Sequence, residues 1–273
     1  AGRQLCVCGE RQHPRKSSHV SDHSVAGMEF LADSLTTSLL FALIAAIISG
    51  VLFGFAGFGA GLIMSPLFAV IFSPTDAIAI VTLTSTTAVV LLWPQIKRRV
   101  QIREALPVAL CGALTIPFGT YILLAIDADL MRRGIGGIVL FFALIMLTGW
   151  TYRGPRGTLA GGMTGLLSGV IAGSAATSGP VYSLYLLSAP VEAVVTRANI
   201  LFVSTIFPVS TIVSMAAQGA IGSQTLIRFA LILLPYALGI WVGARLFTRS
   251  SDQLYRRVAL WFIFTVGLFV VMI

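Results

Sequence analysis

Two glycine-rich interruptions carry the chemistry this sequence offers. The first runs Gly54-Phe55-Ala56-Gly57-Phe58-Gly59-Ala60-Gly61, the second Gly173-Ser174-Ala175-Ala176-Thr177-Ser178-Gly179-Pro180, and a short apolar run follows each, at 62–72 and 181–187. Glycine permits positive φ and close backbone approach. A helix that starts directly after such a break presents free backbone N–H groups and the positive end of its dipole. Two such N-termini facing one another make an anion site. Gly59, Gly61 and Gly179 admit the backbone to the ligand, and Ser65, Thr177 and Ser178 add hydroxyl donors suited to an oxyanion. A competing reading gives these small residues only a packing role, as in small-xxx-small helix pairs.

Arg197 and Asn199 stand near the start of the apolar run 193–217. An ionisable residue within a membrane segment is read first as functional, and arginine offers an oxyanion a bidentate fork. Alternatively Arg197 snorkels to the interface or pairs with Glu192. Thr84 and Ser85, from the cluster Thr82 to Thr87, line the same cavity on this reading, although such hydroxyls also bond back to their own helix. Asp76 and Glu192 each follow a Pro-x pair at the start of a crossing. Either could carry a coupling proton, and helix capping accounts for both equally well.

These residues sit in a chain that a membrane must contain. Of 273 residues, 57% are hydrophobic and only 10% charged, against about 25% charged in soluble domains. The mean hydropathy is +0.94. The net charge of +8 does not imply nucleic acid, because the basic residues form no patch with interleaved aromatics. Ten of the eighteen occupy short loops at 94–104, 151–157 and 245–257, which the positive-inside rule places in the cytoplasm. The apolar stretches are 35–53, 62–72, 77–93, 105–126, 134–150, 158–173, 181–187, 193–217, 226–247 and 258–273. The pieces at 62–72 and 181–187 rise only about 16 and 11 Å, well short of a bilayer core, and read as half-helices.

The polar segment 1–27 contains all three histidines together with Cys6 and Cys8. Its Cys-x-Cys spacing is poor for structural zinc. We read it as an extension ahead of Met28, the expected translation start. Cys111 reads as a small hydrophobe in an apolar helix.

The halves match. Ser49-Gly50-Val51-Leu52-Phe53-Gly54 reappears as Ser168-Gly169-Val170-Ile171-Ala172-Gly173, Pro74-x-Asp76-Ala77 as Pro190-x-Glu192-Ala193, and Ile116, Gly119, Leu130, Arg132 and Arg133 as Ile240, Gly243, Leu254, Arg256 and Arg257. Loop charges place the two arginine pairs on opposite sides, so the copies are inverted. The expectation is an all-α polytopic membrane protein with two repeats, 28–150 and 151–273. Each repeat is a broken-helix pair followed by three crossings, the architecture of secondary transporters.

The run Gly54 to Pro66, the run Gly165 to Gly173 leading to Gly179-Pro180, and Arg197-Ala198-Asn199 resemble the sulfite exporter TauE/SafE family across about 36–273. The resemblance implies a permease of the bacterial or archaeal inner membrane that moves sulfite or small organosulfonates outward. It implies no bound cofactor, and as partners a small sulfur-containing anion and the lipid bilayer, with no nucleic acid. The second break is poorer in glycine than the family's usual run, which leaves sulfate, thiosulfate or a carboxylate as rival substrates. A passive anion channel would use the same site. An intramembrane enzyme lacks its parts, since the membrane region offers no histidine and one cysteine. Oligomeric state is not legible.

Overall fold

The computed structural model describes residues 39–148 and 152–249, apart from the side chains at 95, 96, 143, 146 and 147. The extension 1–27 and the last apolar run, 258–273, lie outside the described residues. Among those described the chain is all helical. In order the helices are α1 (Leu39–Ala56), α2 (Ala60–Ile71), α3 (Pro74–Ile96), α4 (Ile102–Ala125), α5 (Ala128–Leu147), α6 (Thr158–Ala175), α7 (Gly179–Leu187), α8 (Ala193–Ala217) and α9 (Ser223–Thr248). Six of them, α1, α3, α4, α6, α8 and α9, are long and apolar enough to cross a membrane. Large apolar side chains such as Leu114, Phe118, Leu159 and Leu234 are exposed along these helices, as expected where lipid is the solvent.

The short helices fall where the breaks predict. α2 has 12 residues and α7 has 9, so neither alone reaches the length of about 20 that a crossing needs. Each follows a span-length helix after a break of three residues: 57–59 between α1 and α2, 176–178 between α6 and α7.

Helices without a hydrophobic drive between them associate by close packing at small residues, and two glycine seams do this here. In the seam between α6 and α4, a Cβ on Gly169 would lie 2.2 Å from the Gly112 carbonyl oxygen, one on Gly173 2.3 Å from that of Ile116, and one on Gly119 2.2 Å from that of Val170. In the seam between α1 and α9, a Cβ on Gly50 would lie 2.3 Å from the Tyr236 oxygen, one on Gly54 2.3 Å from that of Ile240, and one on Gly243 2.0 Å from that of Val51. These are the same contacts, made between residues that the internal repeat equates. Helix α1 therefore packs on α9 and helix α6 on α4, which ties the two halves of the chain together.

Seam glycines and open glycines should respond oppositely to a methyl group. Gly119→Ala must push α4 off α6 and should lower the melting temperature of the detergent-solubilised protein. Gly136→Ala, in α5 with nothing within 4 Å of its Cβ position, should raise stability by up to about 1 kcal/mol through helix propensity. Equal effects would show that the seam does not carry stability.

Candidate anion site

The two breaks meet. A Cβ on Gly61 would lie 1.8 Å from the Ala176 carbonyl oxygen, and one on Gly179 would lie 3.3 Å from Phe58 Cβ and 3.4 Å from the Gly59 nitrogen. Only glycine permits the first approach. The turns are built alike: Gly57 and Ala176 are repeat equivalents, both have positive φ (85° and 53°), and their N–H groups donate to Phe53 and Ala172 at 2.8 and 3.1 Å. Ala176 pays for that conformation with about 1–2 kcal/mol of left-handed strain, which glycine at 57 avoids.

Between the breaks lies a cavity of about 50 Å³, several times the roughly 10–15 Å³ that one water needs on the same measure. Its walls include Gly59, Ala60 and Gly61 at the start of α2 and Thr177, Ser178 and Gly179 at the start of α7. Leu62 and Val181 already donate to the Gly59 and Ser178 carbonyls at 3.1 Å and Pro180 has no N–H, which leaves the N–H groups of Ala60, Gly61 and Gly179 without a helical acceptor, and both positive dipole ends line one small space. Neither start is capped by a side chain. The Thr177 hydroxyl is buried, lines the cavity, and has no hydrogen-bond partner in the protein.

Ser85 of α3 also lines the cavity, as expected, together with Thr82, Tyr182, Ser204 and Thr211. Tyr182 and Ser204 were not singled out from sequence. The available signal was position: Tyr182 stands one turn into the half-helix after Gly179, on the face its N-terminus presents.

Four expected ligands lie elsewhere, and each is occupied. Arg197 is 3% exposed, yet it does not line the cavity. Its Nε donates to the Phe55 carbonyl at 3.0 Å and its NH2 to Gly54 at 2.5 Å, and the guanidinium stacks 4.2 Å from the centre of the Phe247 ring. It fastens the C-terminus of α1, where orphan carbonyls and the negative dipole end draw a cation. Ser65 does the same for α6, donating to the Ala175 carbonyl at 2.5 Å. Asn199 Oδ1 accepts from the Gln101 N–H at 2.7 Å, and Thr84 bonds back to Ile80 and Val81 at 2.9 Å. All four satisfy backbone, and Arg197 and Ser65 also hold the breaks.

Capping does not describe the acids. The cap of α3 is Ser73, whose hydroxyl accepts from the Asp76 N–H at 3.1 Å. The Asp76 carboxylate instead reaches α9, accepting from Thr225 at 2.5 Å and Arg228 at 2.7 Å. Glu192 occupies the cap position of α8, is exposed, and makes no capping bond. Neither acid lines the cavity.

Three further arginines stand at the other ends of the half-helices. Arg132 Nε donates to the Ala69 carbonyl near the end of α2 at 2.8 Å, and Arg228 stacks 4.7 Å from the Phe72 ring centre. Arg156 donates to the Tyr185 carbonyl near the end of α7 at 3.0 Å, to Ser188 at 2.7 Å and to Glu104 at 2.5 Å. Negative ends are thus held by guanidinium while positive ends face the cavity. Among the described residues no group of acids, cysteines or histidines is placed to hold a metal.

If Arg197 is a fastener, Arg197→Ala should lower stability by about 2 kcal/mol or more, the cost of orphaned buried carbonyls, read as a lower melting temperature in detergent. A variant that melts like the parent but no longer binds anion would return Arg197 to the ligand role.

A family model described as Sulfite exporter TauE/SafE matches residues 42–270, which is nearly the whole chain and includes both breaks and the cavity between them. Searches of curated proteins and of solved structures each returned no match. The multi-pass helical fold and this match agree, and the chain belongs to the sulfite exporter TauE/SafE family of membrane transporters.

Proposed function

We propose that this protein carries sulfite or a small organosulfonate anion across the plasma membrane of a bacterium or archaeon, outward, with the anion held between the starts of α2 and α7. The observation that carries this reading is the convergence of two uncapped helix N-termini and the unpartnered Thr177 hydroxyl on one cavity. Backbone N–H groups, with Thr177, Ser178 and Ser85, supply donors for oxyanion oxygens. Thr177→Val keeps the side chain's shape and removes its donor, so it should weaken sulfite binding by about tenfold, measured by titration of the purified protein. Unchanged sulfite affinity would sink the site. Tighter binding of sulfate, thiosulfate or a carboxylate would reassign the substrate.

Alternating access requires that the cavity open to one side at a time, and two ion pairs stand where gates belong. Asp76–Arg228, at 2.7 Å, lies at the start of α3, and Glu104–Arg156, at 2.5 Å, lies just past its end. A helix of 23 residues separates them by about 34 Å, close to the thickness of a bilayer core. By loop charge the Glu104–Arg156 pair is the cytoplasmic one. Both pairs are part-exposed and individually weak, which suits contacts that must break in each cycle.

In a cysteine-free background carrying Ser85→Cys, Asp76→Asn should speed labelling by a membrane-impermeant thiol reagent from the outside. Glu104→Gln should speed it from the cytoplasmic side. Equal labelling from both sides in both variants would replace rocking with a permanently open channel.

A further inference from the structure

The cavity's hydroxyl groups can be sorted by where their protons go. Each hydroxyl has one hydrogen. Ser204 gives its hydrogen to the Gly57 carbonyl at 3.0 Å. The 2.8 Å contact between Ser204 and Tyr182 must therefore be bridged by the Tyr182 hydrogen, because Ser204 has none left. Thr82 donates to Ile78 at 2.5 Å and Thr211 to Phe207 at 3.0 Å, each within its own helix. All four residues line the cavity, and all four have spent their protons on protein. What they can offer a ligand is lone pairs. Pro208, also in the wall, adds to this by removing the amide that would bond the Ser204 carbonyl.

The rest of the lining is the reverse. It includes the starts of α2 and α7, where the N–H groups of Ala60, Gly61 and Gly179 have no helical acceptor, and the Thr177 hydroxyl, which has no protein acceptor and is free to donate. The wall of the cavity thus holds a donor set and an acceptor set. An anion that is acceptor on every side would satisfy the first and leave the second facing lone pairs with lone pairs, and an unpaired buried acceptor is costly.

We infer that the transported species is an oxyanion that carries a hydrogen-bond donor of its own: its charged oxygens lie against the starts of α2 and α7, and its O–H or N–H points to the acceptor set formed by Tyr182, Thr82, Thr211 and Ser204. This inference rests on the anion site proposed above and specifies its ligand. Two sources share the chemistry, a monoprotonated inorganic anion such as hydrogensulfite and a hydroxyl- or amino-bearing sulfonate.

The test compares hydroxymethanesulfonate with ethanesulfonate, which have the same number of non-hydrogen atoms and the same charge but differ by a hydroxyl against a methyl. A parallel arm titrates sulfite while the pH is lowered through the range where sulfite becomes hydrogensulfite. Binding to the purified full-length protein is read by calorimetry and by ligand-induced thermal shift. We expect the hydroxyl-bearing sulfonate to bind about tenfold tighter than its methyl counterpart, or sulfite to tighten similarly as it gains its proton. The arm that discriminates names the source.

Tyr182→Phe and, separately, Thr82→Val should shrink that preference several-fold, chiefly by weakening the proton-bearing ligand. Two variants guard against one that fails to fold, and the thermal shift reports folding directly. If the parent binds the paired ligands equally in both arms, or if both folded variants keep the full preference, the acceptor set is overturned while the anion site stands. If the folded parent binds none of these anions, the anion site falls and this inference with it.

Discussion

Backbone that leaves a helix inside a membrane must find hydrogen-bond partners without water, and most of this structure follows from that constraint. The chain breaks twice, at 57–59 and 176–178, and each break strands carbonyls behind it and N–H groups ahead of it. The carbonyls are answered by side chains: Arg197 at Gly54 and Phe55, Ser65 at Ala175, and Ser204 at Gly57. The N–H groups ahead are left to the cavity. That asymmetry makes the breaks a site for something negative, because side-chain donors go to the stranded carbonyls while no side chain caps either helix start.

The same constraint explains the glycine seams. Two broken segments can face each other at the middle of the membrane only if the helices leading to them are held at fixed depth. Gly50, Gly54 and Gly243 on one side, and Gly169, Gly173 and Gly119 on the other, bring backbone into contact with backbone and fix that depth through packing at small residues. Each seam joins the two halves, and the two seams use equivalent residues. A relative motion of the halves must therefore pivot about these seams or slip along them. On the proposed transport cycle, the part-exposed ion pairs in the first turns of α3 and α4 are contacts such a pivot would break.

Much of this was legible in the sequence, and for a physical reason in each case. The starts of α2 and α7 were readable because each glycine-rich run is followed by an apolar stretch too short to cross a bilayer, which packing alone does not call for. The repeat was readable because the seam contacts fix glycine and its neighbours at matching positions. Six of the expected site residues, Gly59, Gly61, Ser85, Thr177, Ser178 and Gly179, line the cavity. Arg197, Ser65, Asn199 and Thr84 do not: the back-bonding of Thr84 was among the readings the sequence allowed, while the partners of the other three were not legible. A buried polar side chain looks the same whether it faces a ligand or a stranded carbonyl. Only the fold says that Gly54 and Phe55 lie beside Arg197.

Asp76 illustrates the limit more sharply. Its place in the first turn of α3 is what a capping acid would occupy, and the pattern Ser73-Pro74-Thr75-Asp76 fits a helix start. Yet Ser73 alone caps the helix, and the carboxylate is spent on Thr225 and Arg228, about 150 positions further along. Local pattern assigns a residue to a position, whereas the partner that sets its role comes from the other half of the chain. For a chain whose two halves pack against each other this is the general case. The first helix of each half packs on the other half, the cavity draws walls from both, and α3 and α9 share the Asp76–Arg228 ion pair. The site therefore belongs to the pairing of the two halves, and neither half's sequence read alone contains it.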